Sequence, residues 1–174
     1  MVKAMDVTLL IIQAIAFIFP AYCANATPVL AGGGTKIDFG KNFIDGKRLF
    51  GNNKTFRGFL FGWLIGLSVG LVECYFVPAN ILPFTILFAV LTPFGALLGD
   101  LTAAFLKRRL NIVPGGLFPI VDQIDFVIGA LVISLPLSLI TDWKIAATIL
   151  LITPPIHLFT NFCAYKLKLK KHPW

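Results

Sequence analysis

Long apolar runs separated by short polar segments dominate this chain, and they recur at about the length that crosses a bilayer. A transmembrane helix needs about 20 mostly apolar residues. Five runs approach or meet that length, and they cover residues 7–26, 58–77, 82–105, 126–140 and 145–165. The pattern predicts an all-α, polytopic integral membrane protein with five transmembrane helices, in which residues 1–174 form a single domain.

The composition supports this prediction. Of the 174 residues, 57% are hydrophobic and only 13% are charged, whereas soluble domains average about 25% charged residues. The three cysteines fall inside apolar runs without paired spacing, so neither a disulfide framework nor a zinc site is indicated. We expect a multi-pass protein of the cell membrane that has the bilayer as a partner and does not bind nucleic acid.

The basic residues predict the orientation. Thirteen of the 15 Lys and Arg residues fall in the first loop, the third loop and the carboxyl-terminal tail. Positive residues near span ends stay in the cytoplasm. We therefore place the amino terminus outside and the carboxyl terminus inside, with an active site formed on the cytoplasmic side by loops at about 27–57 and 107–124. The tail lysines are interpreted as contacts to anionic lipid.

Small residues at helical spacing predict close packing of the second and third runs. The second run contains a glycine at every fourth position, and the third contains Gly95 and Gly99; the four glycines of the second run are Gly58, Gly62, Gly66 and Gly70. Such stripes let two helix backbones approach closely. The partner is either the neighbouring span or a second copy of the chain, so a homodimer stays open.

Three aspartates at the edges of apolar runs are the candidate catalytic centre. An ionisable residue inside a span costs about 2.5–3.5 kcal/mol on the insertion scale, which favours a functional role. Asp100 precedes Lys107 by two helical turns, and Asp122 and Asp125 share one face of a helix. Gathered carboxylates repel one another unless a cation such as Mg²⁺ binds between them. We predict Asp100, Asp122 and Asp125 as metal ligands and, with Lys107, as catalytic residues.

Basic residues and glycines surround these aspartates in both loops, which is typical of a site for a polyphosphate. The candidates for substrate binding on this basis are Lys41, Lys47, Arg48, Lys54, Arg57, Arg108, Gly115 and Gly116. No GxxxxGK[ST] phosphate loop is present. The alternative is a solvated basic loop and a salt-bridge network without a ligand.

Three segments carry a resemblance to a known family. They are GDLTAAFLKRRLNIVPGGLFPIVDQIDF (99–126), PAYCANATPVLAGGG (20–34) and DGKRLFGNNKTFRG (45–58). The first resembles the membrane CDP-diacylglycerol synthases, also called phosphatidate cytidylyltransferases, and the other two resemble their archaeal branch, the CDP-archaeol synthases. One departure is Gln123, which stands where the bacterial form has a basic residue.

The resemblance implies a Mg²⁺-dependent cytidylyltransferase of phospholipid biosynthesis. Its substrates would be CTP and a prenylated glycerol phosphate, 2,3-bis-O-geranylgeranylglycerol 1-phosphate, and its products a CDP-activated ether lipid and pyrophosphate. It further implies that Asn25, Asn42 and Thr55 contribute to the nucleotide or metal shell. The lipid phosphate is already ionised, so no general base is required.

Two rival functions were compared with this one. A transporter or binding protein for anionic solutes also presents charges at helix ends, but the five runs show no inverted repeat. A CDP-alcohol phosphotransferase requires a DGxxAR pattern, which the segment beginning Asp45-Gly46-Lys47-Arg48 does not match.

Overall fold

The computed structural model describes residues 7–113, 116, 118–137, 142–170 and 172. Five α-helices account for most of them: α1 (Val7–Ala31), α2 (Phe56–Phe76), α3 (Ile86–Arg109), α4 (Val121–Ser134) and α5 (Trp143–Lys166). A short 3₁₀ turn, Leu135–Leu137, follows α4. Within these residues the only β-type pairing is two isolated bridges in the first loop, which confirms the prediction of an all-α protein.

Four helices of the described part, α1, α2, α3 and α5, are long and apolar enough to cross a membrane. This confirms an integral membrane protein. Helix α4 has 14 residues, which is short of the roughly 20 that a span requires. Five spans, and the orientation of the termini, therefore remain predictions.

Contacts between helices show which ends lie together. At one end, Lys54 of the first loop contacts Asp100 of α3, and the end of α3 contacts the start of α4. In the opposite half, the Gln13 side chain donates to the Ile81 carbonyl oxygen (2.8 Å). The Thr92 and Ser134 hydroxyls are 2.8 Å apart there as well. The first loop, the end of α3 and the start of α4 therefore meet at one end of the bundle.

The glycine stripe of α2 packs against two neighbours. All four of its glycines are buried. A Cβ atom on Gly66 would lie 2.9 Å from the Ala24 Cβ of α1, and one on Gly70 would lie 2.7 Å from the Ala89 Cα of α3. Real Cβ atoms do not approach that closely, so larger residues would separate the helices. The predicted contact between the second and third spans is confirmed.

The glycines of α3 face a different partner. A Cβ atom on Gly95 would lie 2.6 Å from the Gly129 carbonyl oxygen of α4, and one on Gly99 would lie closer still to the Asp125 carbonyl oxygen. They permit close packing as predicted, but against α4, because positions 89, 93 and 97 form the α2-facing side of α3. This close approach brings Asp100, beside Gly99, next to the start of α4.

The predicted loop boundaries were also too wide. Helix α1 continues to Ala31, α3 continues to Arg109, and α4 already begins at Val121. Lys107, Arg108 and Arg109 are therefore helical, and they form the basic last turn of α3. Cations at that position interact favourably with the negative end of the helix dipole.

Candidate active site

Lys54 and Asp100 form the first of two ion pairs at this end of the bundle. The Lys54 ammonium group contacts the Asp100 carboxylate, and the two side chains are 24% and 23% exposed. Lys54 is placed by the chain around it, because its carbonyl accepts from the Ile37 N–H (2.9 Å) and Thr55 caps α2 through the Gly58 N–H (3.1 Å). The first loop thus places the Lys54 ammonium group beside α3.

Lys107 and Asp122 form the second ion pair, between the end of α3 and the first turn of α4. The Lys107 Nζ lies 2.6 Å from the Asp122 carboxylate and 3.2 Å from the Gly116 carbonyl oxygen. Asp122 also accepts from the Phe118 N–H (3.1 Å). A carboxylate in the first turn of a helix is favoured by the helix dipole. The start of α4 carries Asp122 because that charge is compensated by Lys107, the Phe118 N–H and the helix dipole.

Asp125 lies one helical turn after Asp122 on α4, where its carbonyl oxygen packs against Gly99 beside Asp100. Its charge interacts with Asp100, Asp122 and Lys54, and it accepts a hydrogen bond from the N–H of Phe126 (2.6 Å). Within the described residues it forms no ion pair. The charge cluster, defined as Lys54, Asp100, Lys107, Asp122 and Asp125, therefore brings together all four predicted catalytic residues and one predicted substrate-binding residue.

Whether the charge cluster can bind a divalent ion depends on the placement of its three carboxylates. Among the described residues, no three Asp, Glu, His or Cys side chains are placed to hold one metal ion. Two of the three carboxylates point to lysines. The carboxylate oxygens suit Mg²⁺, which prefers a few such ligands together with water and phosphate. For one ion to be bound by all three carboxylates, Lys54 and Lys107 would have to release Asp100 and Asp122. The assignment of these aspartates as metal ligands stays a prediction.

Asp38 organises the first loop, and sequence reasoning missed it. Its side chain is fully buried and accepts five hydrogen bonds, all between 2.7 and 3.3 Å: two from Arg48 and one each from the N–H groups of Gly40, Phe50 and Gly51. Burial alone would raise the pKa of Asp38, but these donors lower it to about 2. Arg48, predicted to bind substrate, is here held by Asp38.

A second missed residue, Asp45, fastens the loop to α3. It pairs with the guanidinium group of Arg109, which also donates to the Lys47 carbonyl oxygen (3.2 Å). In return the Lys47 ammonium group donates to the Arg109 carbonyl oxygen (2.8 Å). The Arg109 guanidinium carbon lies 4.7 Å from the centre of the Phe105 ring. Lys47, predicted to bind substrate, therefore serves here to attach the loop.

The remaining predicted residues lie outside the charge cluster. The Arg57 side chain is exposed and lies over the Phe61 ring (5.9 Å). Arg108 is buried, and within the described residues its Nε has no hydrogen-bond partner. The others are Lys41 and Asn42, which are exposed, Asn25, which is half-buried on α1, and Gly115, which lies outside the described residues. Their substrate-binding roles stay predictions.

One sequence signal points to the Asp38 site. Asp38-Phe39-Gly40 matches the short turn in which an Asp side chain accepts from the backbone N–H two residues later, and this bond is present (3.0 Å). Asp45 carries the same local signal, since the Lys47 N–H donates to the Asp45 side chain (3.1 Å), but nothing local indicates its ion pair with Arg109, which is 64 residues away.

A cleft opens beside the Lys54–Asp100 pair. Its lining is polar on one side and apolar on the other, and it comprises Pro28, Ile37, Asn53, Lys54, Thr55, Gly58, Phe59, Leu97, Asp100 and Leu101. The apolar part of this lining comes largely from helices α1, α2 and α3, which are long enough to lie in the bilayer.

The membrane-embedded helices and the charged cluster at their end define the class of an intramembrane enzyme. A solved structure supports this class: it is described as an intramembrane enzyme for archaeal membrane lipids biosynthesis. It superposes with a TM-score of 0.76 at 38% identity, covering 87% of this chain and 94% of that one.

Sequence comparisons identify the family. The CarS-like family model, CDP-archaeol synthase, matches residues 7–174. The CDP-archaeol synthase of Pyrococcus furiosus is 45% identical over 94% of this chain and 98% of its own length. That of Methanocaldococcus jannaschii is 46% identical over 91% of this chain and 94% of its own. The chain belongs to the CDP-archaeol synthase family.

This result confirms the predicted resemblance and, with it, the prediction of a nucleotidyltransferase. It also decides between the rival interpretations, since the relatives are enzymes rather than transporters or CDP-alcohol phosphotransferases. It does not test individual site residues, which rest on the contacts described above.

Replacing Asp38 with Asn should destabilise the protein at neutral pH. The folded pKa of about 2 lies below the ordinary value of 3.8, so the carboxylate stabilises the fold above about pH 4, and this contribution is lost as the pH falls through 2. The shift corresponds to about 2 kcal/mol. Thermal unfolding in detergent at pH 7 and pH 3 measures it, and the gap between wild type and variant should narrow at pH 3.

The control is Asp142→Asn, which changes a half-exposed carboxylate at the start of α5. It should shift the melting temperature little. Equal melting temperatures for wild type and Asp38→Asn at pH 7 would contradict the role given to Asp38.

Proposed function

We propose that this chain transfers CMP from CTP to 2,3-bis-O-geranylgeranylglycerol 1-phosphate in a Mg²⁺-dependent reaction. A phosphate oxygen of the lipid attacks the α-phosphorus of CTP and forms a new P–O bond. The bond from that phosphorus to the oxygen bridging to the β-phosphorus breaks, and pyrophosphate leaves with the electron pair. The products are the CDP-activated ether lipid and pyrophosphate, so atoms and charge balance.

The observation that carries the proposal is the charge cluster beside a half-apolar cleft. Two lysines and three aspartates meet where α3 and α4 come into backbone contact. The adjacent cleft reaches from Lys54 and Asp100 to Phe59 and Leu97. A lipid phosphate fits this arrangement, because its chains occupy apolar surface while its headgroup reaches the cations. Family membership supplies the nucleotide chemistry.

The lysines would position the two anionic substrates. Lys54 and Lys107 have flexible four-carbon stems, so the ammonium groups that now contact Asp100 and Asp122 reach nearby phosphate oxygens as well. Asp100, Asp122 and Asp125 would hold Mg²⁺, which would supply neutralisation of the negative charge that develops in the reaction. The negative charges of the three aspartates would favour binding of a cation beside them.

Alignment rather than proton transfer would account for the rate. The attacking lipid phosphate is ionised at neutral pH, so no side chain has to remove a proton. Two anions of like charge must instead be held in line and in contact, which is the part of catalysis that fixed cations and oriented binding supply. The loop anchored by Asp38 and Asp45 holds Lys54 in place for this task.

The site would face the cytoplasm. The basic residues of the first loop, the end of α3 and the tail favour that side, and CTP is available there. The first loop and the end of α3 are in direct contact, so one orientation places both halves of the site together.

A reaction assay tests the substrates and the metal together. Purified protein in detergent is incubated with labelled CTP and either the ether-linked lipid phosphate or an ester-linked one, with Mg²⁺ or with excess EDTA. We expect a CDP-lipid from the ether-linked substrate in Mg²⁺ and none in EDTA. Product formation that persists in EDTA would contradict the metal assignment, and the absence of CDP-lipid in every arm would contradict the proposed reaction.

The aspartates are tested by removing one charge at a time. Asp125→Asn and Asp122→Asn should each lower turnover by about a hundredfold or more, because each removes a carboxylate that would hold the Mg²⁺ needed to neutralise developing charge. The matched control is Asp142→Asn. Asp142 directly precedes α5 and lies outside the charge cluster, so this variant should keep wild-type turnover. Near-normal turnover in a folded Asp125→Asn protein would remove Asp125 from the site.

A further inference from the structure

The chain turns back after α5 instead of leading away from the bundle. Helix α5 ends at Lys166, and Lys168 adopts a left-handed conformation (φ 61°). The Leu169 N–H donates to the Ala164 carbonyl oxygen (2.9 Å) and the Lys168 N–H donates to the Tyr165 carbonyl oxygen (2.9 Å). This pair of bonds is the Schellman motif, which reverses the chain at a helix end. The tail is thereby directed back toward the site.

The reversal places Lys170 on a chain of contacts to α4. The Lys170 ammonium group donates to the Asn161 side-chain oxygen (3.0 Å), and the Asn161 amide nitrogen lies 3.2 Å from the His157 Nδ1. The His157 ring packs against the Phe126 ring, with centroids 5.9 Å apart. Phe126 directly follows Asp125. Lys170 is therefore tied to the same end of α4 as the charge cluster.

Lys170 is close enough to the two ion pairs to interact electrostatically with their four members, Asp100, Asp122, Lys54 and Lys107. Coulomb interactions between partly buried charges are screened less than those at an open surface. A third lysine thus lies within reach of a site whose other two lysines are engaged by carboxylates.

The neighbouring tail lysines differ from Lys170. The side chains of Lys166 and Lys168 are exposed, whereas Lys170 is half-buried. The Lys166 ammonium group lies over the Phe162 ring (5.4 Å) on its own helix. Contacts to anionic lipid, predicted for the whole tail, suit the two exposed lysines but do not account for the placement of Lys170.

We propose that Lys170 is a further substrate-binding residue, whose ammonium group binds a phosphate of CTP or of the lipid phosphate. This inference rests on the proposed function for the identity of its ligands. Two phosphate-bearing substrates bring more negative charge than two lysines balance, and the turn after α5 supplies an additional cation. Asn161 acts as a positioning residue, since its side-chain oxygen accepts a hydrogen bond from the Lys170 ammonium group.

Three variants test the role of Lys170. Lys170→Gln removes the charge, Lys170→Arg keeps it, and Lys168→Gly removes a neighbouring tail charge while favouring the left-handed turn. Affinities for CTP and for the lipid phosphate are measured separately by calorimetry in neutral detergent, and KM and kcat are measured for both. We expect Lys170→Gln to weaken binding of one substrate about tenfold or more, Lys170→Arg to restore it, and Lys168→Gly to resemble wild type.

The substrate whose affinity falls identifies the phosphate that Lys170 binds. Wild-type affinity for both substrates in Lys170→Gln would overturn the proposal, and so would equal losses in Lys170→Gln and Lys168→Gly, which indicate a general effect of tail charge. Because binding is measured apart from turnover, a wild-type protein that forms no CDP-lipid contradicts the proposed function, while the comparison of affinities still decides the role of Lys170.

Discussion

Compensation of negative charge at the edge of the membrane is the constraint on which this structure depends. Asp100, Asp122 and Asp125 lie together because α3 and α4 touch at Gly99, where any side chain would collide with the α4 backbone. Carboxylates so placed are costly unless cations accompany them. Lys54 arrives from the first loop and Lys107 from α3 itself. The proposed metal ion and phosphates would bind at this balanced cluster.

The loop that delivers Lys54 is held by acids of its own. Asp38 gathers Arg48 and three backbone N–H groups into a buried network, and Asp45 joins the loop to Arg109 at the end of α3. Asp38 and Asp45 do not belong to the charge cluster, yet they fix the position of Lys54. Lys47 and Arg48, which are predicted to bind substrate, hold the loop in this structure, and their substrate-binding roles stay predictions.

The sequence was sufficient for the helices and for the cluster but not for the connections between them. Apolar runs predicted the helices because burial in lipid requires long uninterrupted apolar segments, and the acidic residues stood out because charge in such a segment is costly. The end of α3 was misplaced because Lys107 to Arg109 are polar, although contacts with the first loop keep them helical. The partner of Gly95 depended on which face of α3 meets α4, and no local pattern specifies that.

The most direct test of the account is a crystal structure with a non-reactive CTP analogue and Mn²⁺ in place of Mg²⁺, with the metal located by its anomalous scattering. The account predicts a metal peak within about 2.3 Å of carboxylate oxygens from at least two of Asp100, Asp122 and Asp125. It also predicts that Lys54 and Lys107 contact phosphate oxygens. A metal and a triphosphate bound elsewhere, with both lysines still paired to their carboxylates, would contradict it.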